Sequence, residues 1–329
     1  MTSNNGFQKV TIIGTGVIGA SWAAFFLAQG LDVVATDIAP DADLALRRFV
    51  DAAWPALTQL GLAAGATRDR LKFTSDLHVA IKGADLVVEN GPERADFKIK
   101  LFADLDAHTP VSTILASSSS GIPMTVIQSG CKNPGRCVIC HPFNPPHLMP
   151  LVEVVGGEKT DEDTVKRAMA FFQSLGKKPI HIRKEMKGFV ANRLQAALWR
   201  EVLFLISEGV ADVKAVDDAV SWGPGLRWGV MGPNILGHLG GGQGGIQHFI
   251  DHLFQPMTTW WATSDPLLTP ELEAQIASGT LELAGNRSIE ELERERDNML
   301  LELLATRAKG ELAAQAAYES GRKELSANK

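Results

Sequence analysis

Apolar residues follow two rhythms along this chain, and the change falls near residue 183. In the first part, short buried-type runs alternate with longer helical stretches. Lys9–Ile13, Leu31–Ala35, Asp85–Glu89, Thr113–Ala116, Cys137–Cys140 and Leu151–Val155 read as strands. Ala20–Gln29, Pro40–Gly61 and Asp96–Ala107 read as helices between them. Strand and helix taking turns predict an α/β domain with a Rossmann-type doubly wound sheet. After the strand-like HIRK at 181–184 the period becomes 3.6, and GFVANRLQAALWREVLFLISEGVA (188–211) is too long for a strand. An all-helical C-terminal domain is expected, with the chain dividing into residues 1–187 and 188–329. SIEELERERDNMLLELL opens with Ser288 and Glu291 at capping-box spacing, and the charged, alanine-rich tail from about Ala305 reads as a helix end. The glycine run from Gly240 to Gly245 lacks the preceding strand and the Lys-Ser/Thr of a phosphate loop, so it reads as a bend between helices.

Composition narrows the classes. A chain of 329 residues exceeds one ordinary hydrophobic core. Its 45% apolar and 21% charged residues suit a soluble globular protein. With 32 basic against 38 acidic residues and a net charge of −6, no nucleic-acid partner is expected. MTSNNGFQKV carries no signal-like segment, and no apolar stretch reaches membrane-spanning length, so no membrane association and a cytoplasmic location are expected.

The most specific pattern is KVTIIGTGVIGASWAAFFLAQGLDVVATD. Gly14, Gly16 and Gly19 form G-x-G-x-x-G between a strand and a helix, and Asp37 ends the next strand 23 residues after the first glycine. The glycines serve a tight turn, close backbone approach to a pyrophosphate, and helix–strand packing. The helix N-terminus offers unpaired N–H groups to the phosphates. Asp37 can accept from both ribose hydroxyls and would repel a 2′-phosphate, which favours NAD over NADP. The tract SSSSG at 117–121 follows a strand end, where it would line the ligand crevice.

A second pattern is ambiguous. CVICHPFNPP spells the attachment motif of a c-type haem and contains a C-x-x-C. Covalent haem attachment normally follows export, three cysteines cannot close a disulfide framework, and zinc needs about four ligands where no second cluster exists. No metal is expected, and Cys137 and Cys140 read as small hydrophobes in a buried strand. His141 remains. Glu153 lies in the following strand-like run, beyond PFNPPHLMP, and two strands joined there would bring the two together. Histidine as a class can take a hydroxyl proton near neutrality, with a carboxylate fixing its tautomer. A structural histidine beside a structural ion pair is the other reading, and the residues alone leave both open.

GTGVIG, ENGPERADFK, ASSSSG, HPFNPPHLMPLVEVVGG and KGFVANRL occur in the order and spacing of the 3-hydroxyacyl-CoA dehydrogenase family, which the chain resembles from about residue 7 to about 310. The resemblance implies an active-site set of His141 as base, Glu153 orienting it, and Ser120 and Asn192 holding the substrate oxygen. It implies NAD contacts at Gly14, Gly16, Val17, Ile18, Gly19, Asp37, Glu93, Lys98, Ser118 and Asn144. Glu93 and Lys98 match positions on the nicotinamide side. A helical second domain that closes over the nicotinamide and makes a homodimer is implied as well.

Within the family, HPFNPPHLMPLVE looks closer to the L-gulonate 3-dehydrogenase (lambda-crystallin) branch. WPALTQLGL, LWREVLFLI, GLRWGVMG, GGIQHFI and RSIEELERERD look closer still to L-carnitine dehydrogenases. The expected substrate is a small L-3-hydroxy acid of carnitine type. Only Arg47 and Arg48 serve as bases where long-chain acyl-CoA members are lysine-rich, which weakens a coenzyme A reading. Trp199, Trp222, Trp228, Trp260 and Trp261 would suit a cage for a quaternary ammonium, or simply a helical core. Asn192 stands where the carnitine branch often has aspartate, and Arg227 would suit a substrate carboxylate. A short-chain 3-hydroxyacyl-CoA dehydrogenase is the alternative within the class, and a non-catalytic, crystallin-like NAD-binding protein the alternative outside it.

Overall fold

The computed structural model describes residues 6–327, with side chains through Ala313 and at Gln315. The chain divides into two compact units, Met1–Arg193 and Leu194–Lys329.

In the first unit β1 (Lys9–Ile13), β2 (Asp32–Thr36), β3 (Leu71–Phe73), β4 (Leu86–Glu89), β5 (Ile114–Ser117), β6 (Cys137–Pro142), β7 (Leu151–Gly156) and β8 (Lys178–Ile182) form one sheet, in the order 3-2-1-4-5-6-7-8. The strands pair in parallel except β6 with β7. The first six follow the strand order of a dinucleotide-binding domain, whose crevice lies at the carboxyl ends of β1 and β4. Helices α1 (Val17–Ala28), α2 (Ala42–Leu60), α3 (Leu77–Ile81), α4 (Ala95–His108), α5 (Met124–Ile127) and α6 (Glu162–Ser174) connect the strands.

The strands are apolar on both sides because both faces are covered. Trp22, Phe26, Phe171 and Phe172 pack in one cluster; Phe102, Leu105, Met124 and Ile127 pack in the other. Each large side chain buried this way contributes about 1.5–3 kcal/mol. Helix α1 is buried from Gly19 to Ala28, which explains why its sequence is apolar all round rather than amphipathic.

Two of these elements begin three residues before the pattern reading placed them. Helix α1 begins at Val17 rather than Ala20, so the third glycine is inside its first turn. The last strand ends at Ile182 and begins at Lys178, before HIRK, because an edge strand tolerates Pro179. The short β3 and α3 carry too few residues for a periodic signal.

In the second unit the helical rhythm breaks into several helices. These are α7 (Ala191–Ser207, which starts in the first unit), α8 (Val213–Trp222), α9 (Pro224–Trp228), α10 (Pro233–Gly240), α11 (Gly245–Phe249), α12 (Gln255–Met257), α13 (Pro270–Ala284) and α14 (Ile289–Ala327). Gly209, in the left-handed region, follows α7 and stops it before the apolar pattern ends. The expected capping box closes both ways: the Ser288 amide donates to Glu291 Oε2 at 2.8 Å and the Glu291 amide to Ser288 Oγ at 3.2 Å. The glycine run bends between α10 and α11, and the tail from Ala305 belongs to α14.

Candidate active site

The antiparallel register of β6 and β7 sets His141 directly opposite Glu153. The His141 Nδ1 lies 2.8 Å from Glu153 Oε2, with the carboxylate fully buried and the imidazole nearly so. An ionised carboxylate only accepts, so Nδ1 carries the proton and donates it, leaving the Nε2 lone pair free. The other oxygen, Oε1, accepts from the amides of Val190 and Ala191, both at 2.9 Å. Burial pushes the Glu153 carboxyl upward, but the His141 bond and the two amides outweigh it and hold it below the usual glutamate range. Ala191 opens α7, so the positive end of that helix faces the carboxylate. Asn192 follows in the same turn.

Residues 188 and 189 make this possible. Gly188 and Phe189 both have positive φ, +77° and +47°, a conformation a bulky side chain adopts only when its surroundings impose it. The turn aims the next two amides at Glu153 and sets the buried Phe189 ring, tilted by 56°, 5.4 Å from the His141 ring. No sequence signal marks a phenylalanine in that conformation, and the pattern reading missed it.

The loop after β5 is shaped by Glu93. Its Oε1 accepts from Ser119 Oγ at 2.6 Å, the Gly121 amide at 2.8 Å and the Ser120 amide at 3.2 Å. Burial raises this carboxyl, yet these bonds and the charge of Lys98 leave it lowered. Ser120 therefore sits at the carboxyl end of β5, beside the strand that carries His141. Lys98, expected to contact the nicotinamide half, is turned inward. Its ammonium is buried against both oxygens of Glu89 at 2.7 and 2.8 Å, with Glu93 at 3.5 Å. Ser117 Oγ donates to the same Glu89 at 2.6 Å, and Ser118 Oγ donates to Asn90 Oδ1 at 2.8 Å. Glu89 and Asn90 went unsingled in the sequence, although an acid ending the apolar run DLVVE was the available signal.

The proline-rich loop between His141 and Glu153 is tied down from below. His147 Nδ1 and its backbone amide both lie 2.8 Å from Ser21 Oγ on α1. The buried Lys177 donates to the carbonyls of Pro146 and Met149, with its nitrogen 3.9 Å above the Phe25 ring. Burial pushes Lys177 down to about 7. Asn144 is exposed in this loop.

At the β1–α1 turn a dinucleotide fits. A Cβ on Gly14 would meet the Asn90 carbonyl at 2.8 Å, and one on Gly19 the Gly14 carbonyl at 1.9 Å. Gly16 meets nothing within 4 Å, so its outer side is open. Gly16 caps α1 without a side-chain bond, and the first turn, with Val17 and Ile18, has no acid to compete with a phosphate. Asp37 accepts from the Thr15 amide at 2.6 Å and the Ala39 amide at 2.9 Å. Although burial pushes it up, these bonds hold it below the usual aspartate range, so it presents a charged acceptor. Ile38 beside it is 95% exposed, an apolar surface that the sequence reading did not single out.

The C-x-x-C-H motif does not converge. Cys137 and Cys140 belong to the clusters on opposite faces of the sheet, and His141 is bonded to Glu153. Among the described residues, His78, Asp104 and His108 bring ligand-type atoms within 4.8 Å of one another, but on α3 and α4 rather than on β6 or β7.

A sheet of this order with a histidine–carboxylate pair on β6 and β7 fits a nucleotide-dependent dehydrogenase, and comparison with known proteins agrees. Residues 9–186 match the NAD-binding domain of 3-hydroxyacyl-CoA dehydrogenase and residues 188–269 its C-terminal domain. The L-carnitine dehydrogenase of Streptomyces griseus subsp. griseus is 49% identical over 310 residues, 94% of this chain and 92% of that protein. The L-carnitine dehydrogenase of Pseudomonas putida is 45% identical, covering 89% and 91%. Among solved structures, an NAD+-dependent 5-formyl-3-hydroxy-2-methylpyridine 4-carboxylic acid 5-dehydrogenase superposes with a TM-score of 0.81 at 34% identity, over 92% of this chain and 99% of that one. The 3-hydroxybutyryl-CoA dehydrogenase of Escherichia coli K12 gives 0.63 at 30%, over 83% and 57%. The chain belongs to the 3-hydroxyacyl-CoA dehydrogenase family. It is an NAD-dependent dehydrogenase that oxidises a 3-hydroxy acid.

Proposed function

We propose that the substrate is L-carnitine, oxidised at its 3-hydroxyl to the 3-oxo acid. The observation that carries this choice is the 43–49% identity to L-carnitine dehydrogenases along about nine-tenths of the chain or more. Bound NAD supplies the hydride acceptor at its nicotinamide. Nε2 of His141 takes the hydroxyl proton, and Glu153 stabilises the imidazolium that forms. Ser120 and Asn192 hold the substrate oxygen and stabilise its alkoxide character. Gly14, Gly16, Val17, Ile18 and Gly19 seat the pyrophosphate, Asp37 the ribose and Ile38 the adenine. Glu93, Ser118 and Asn144 face the nicotinamide side, with Lys98 acting beneath them. In this reading residues 1–187 hold the cofactor in a cytoplasmic enzyme, while residues 188–329 serve the substrate and a homodimer.

The ammonium of carnitine calls for aromatic faces. Trp199, Trp222, Trp228, Trp260 and Trp261 are 44–77% exposed, so they are not the core of the helical unit and are free to meet a cation. A coenzyme A ester is served less well. Of the two bases on α2, Arg47 is engaged by Asp43 at 2.8 Å, which leaves Arg48 for a phosphorylated adenosine.

The test is NADH formation with L-carnitine, L-gulonate, 3-hydroxybutyrate and 3-hydroxybutyryl-CoA. Expected is a kcat/KM for L-carnitine above each of the others by at least about 30-fold, the ratio that 2 kcal/mol of cation–π binding gives. Preference for the CoA ester would assign the short-chain acyl-CoA reaction. No turnover with any of the four would favour a non-catalytic NAD-binding protein.

A further inference from the structure

The fold pairs the cysteines differently from the motif. Residues three apart on a strand face opposite sides, so Cys137 and Cys140 are separated by the sheet. Cys137 instead meets Cys131, Sγ to Sγ at 3.8 Å. We propose that Cys131 and Cys137 form a reversible dithiol–disulfide site, in which Cys131 reacts first with a peroxide and Cys137 resolves the product.

The two sulfurs have different access. Cys137 is fully buried at the start of β6, whereas Cys131 is partly exposed in the turn that follows α5. A small oxidant therefore reaches Cys131 first. The loop between them is anchored, which keeps the sulfurs apposed. The amides of Lys132 and Asn133 donate to Asp106 at 2.6 and 2.9 Å, and Arg136 donates to the same carboxylate at 2.8 Å. Closing the contact to the roughly 2.05 Å of a disulfide requires the two sulfurs to approach further.

The local chemistry assigns the order of events. The Cys137 thiol donates its hydrogen bond to Cys131, and with the nearby Arg136 this lowers the Cys131 thiol against the opposing effects of burial and Asp106. Cys137 is correspondingly pushed up, first by holding that proton for Cys131 and then by burial. The Cys131 thiolate attacks one peroxide oxygen; an S–O bond forms, the O–O bond breaks, and the departing hydroxide takes a proton to become water. Sulfur loses two electrons and peroxide gains them. The thiolate that had held the Cys137 proton in place no longer exists. Cys137 then gives up its proton and attacks the Cys131 sulfur; the S–S bond forms, the S–O bond breaks, and a second water leaves. Two thiols and one hydrogen peroxide yield one disulfide and two waters, and an added dithiol reverses the change.

The test uses the full chain treated with hydrogen peroxide, alkylated, digested with trypsin and analysed by mass spectrometry. Trypsin cuts after Lys132 and Arg136, so the disulfide joins two otherwise separate peptides. Expected is a linked pair two hydrogens lighter than the sum of the reduced peptides, which dithiothreitol separates. Cys137→Ser should accumulate a sulfenic acid on Cys131 that dimedone traps, Cys131→Ser should leave Cys137 unmodified, and Cys140→Ser should behave as wild type. The proposal is overturned by absence of the link, by a link through Cys140 or between two chains, or by labelling of Cys137 in Cys131→Ser as fast as Cys131 reacts in wild type.

Discussion

At the scale of single residues the site turns on which groups only accept. Glu153 must accept at both oxygens, from the Val190 and Ala191 amides on one side and from His141 Nδ1–H on the other. A glutamine has one acceptor. In Glu153→Gln the oxygen goes to the two amides and the NH2 turns to His141, which moves the proton of the ring to Nε2 and removes the base. The expected result is a fall in kcat on the order of 10²–10⁴-fold with NAD binding retained, read from steady-state kinetics and cofactor titration. The same variant tests the electrostatics. Because the folded carboxyl lies below its usual 4.5, its stabilising contribution is complete above that value and is lost as pH falls through the lowered one. Urea midpoints of wild type should therefore drop more steeply below pH 4.5 than those of Glu153→Gln. His141 and Glu153 were legible because a histidine at a strand end and an acid in the next strand signal across a single loop. Phe189, Ser119 and the Cys131–Cys137 contact were not, since each depends on a backbone angle or a loop path that residue types do not encode locally.

At the scale of elements, the loop between β6 and β7 needs outside support, and Lys177 provides it from the residue preceding β8. Its folded value of about 7 lies below the ordinary 10.5, so between those two values the unfolded chain binds the proton that the folded chain has shed. Stability contributed through this residue accordingly rises as pH climbs from about 7 toward 10.5. Lys177→Met should abolish that rise and, by leaving the Pro146 and Met149 carbonyls without their donor, should destabilise the fold by about 1–3 kcal/mol at neutral pH. Denaturant titrations of both proteins at pH 7 and 10 check this; parallel shifts in wild type and variant would contradict it. Most strands were readable from their residue pattern alone, because strands buried on both faces give continuous apolar runs. The turn carrying G-x-G-x-x-G was readable from spacing, but its third glycine belongs to α1, where a Cβ would strike the Gly14 carbonyl. The breaks within the helical unit fall at glycines and prolines inside a sustained apolar pattern, which periodicity smooths over.

At the scale of the whole molecule the two units bury apolar surface very differently. The sheet unit encloses its large side chains on both faces, while the core of the helical unit centres on Ile206, Val216 and Leu272. Leu267, Met299 and Leu281 of that unit are each at least 70% exposed. We read these exposed side chains as part of the surface that meets a second copy of the chain in the homodimer proposed above. Light scattering at micromolar concentration should give twice the 35.4 kDa protomer mass, and a protomer mass would contradict it. Among the described residues no helix is long and apolar enough to cross a membrane.

In the reaction proposed above, the ring opposite Glu153 takes the proton of the alcohol. Single-turnover NADH formation from L-carnitine, compared between wild type and His141→Asn at equal NAD occupancy, tests it most directly. The variant should be slower by about 10²–10⁴-fold, with cofactor affinity unchanged. A variant that forms NADH within tenfold of wild type would contradict it.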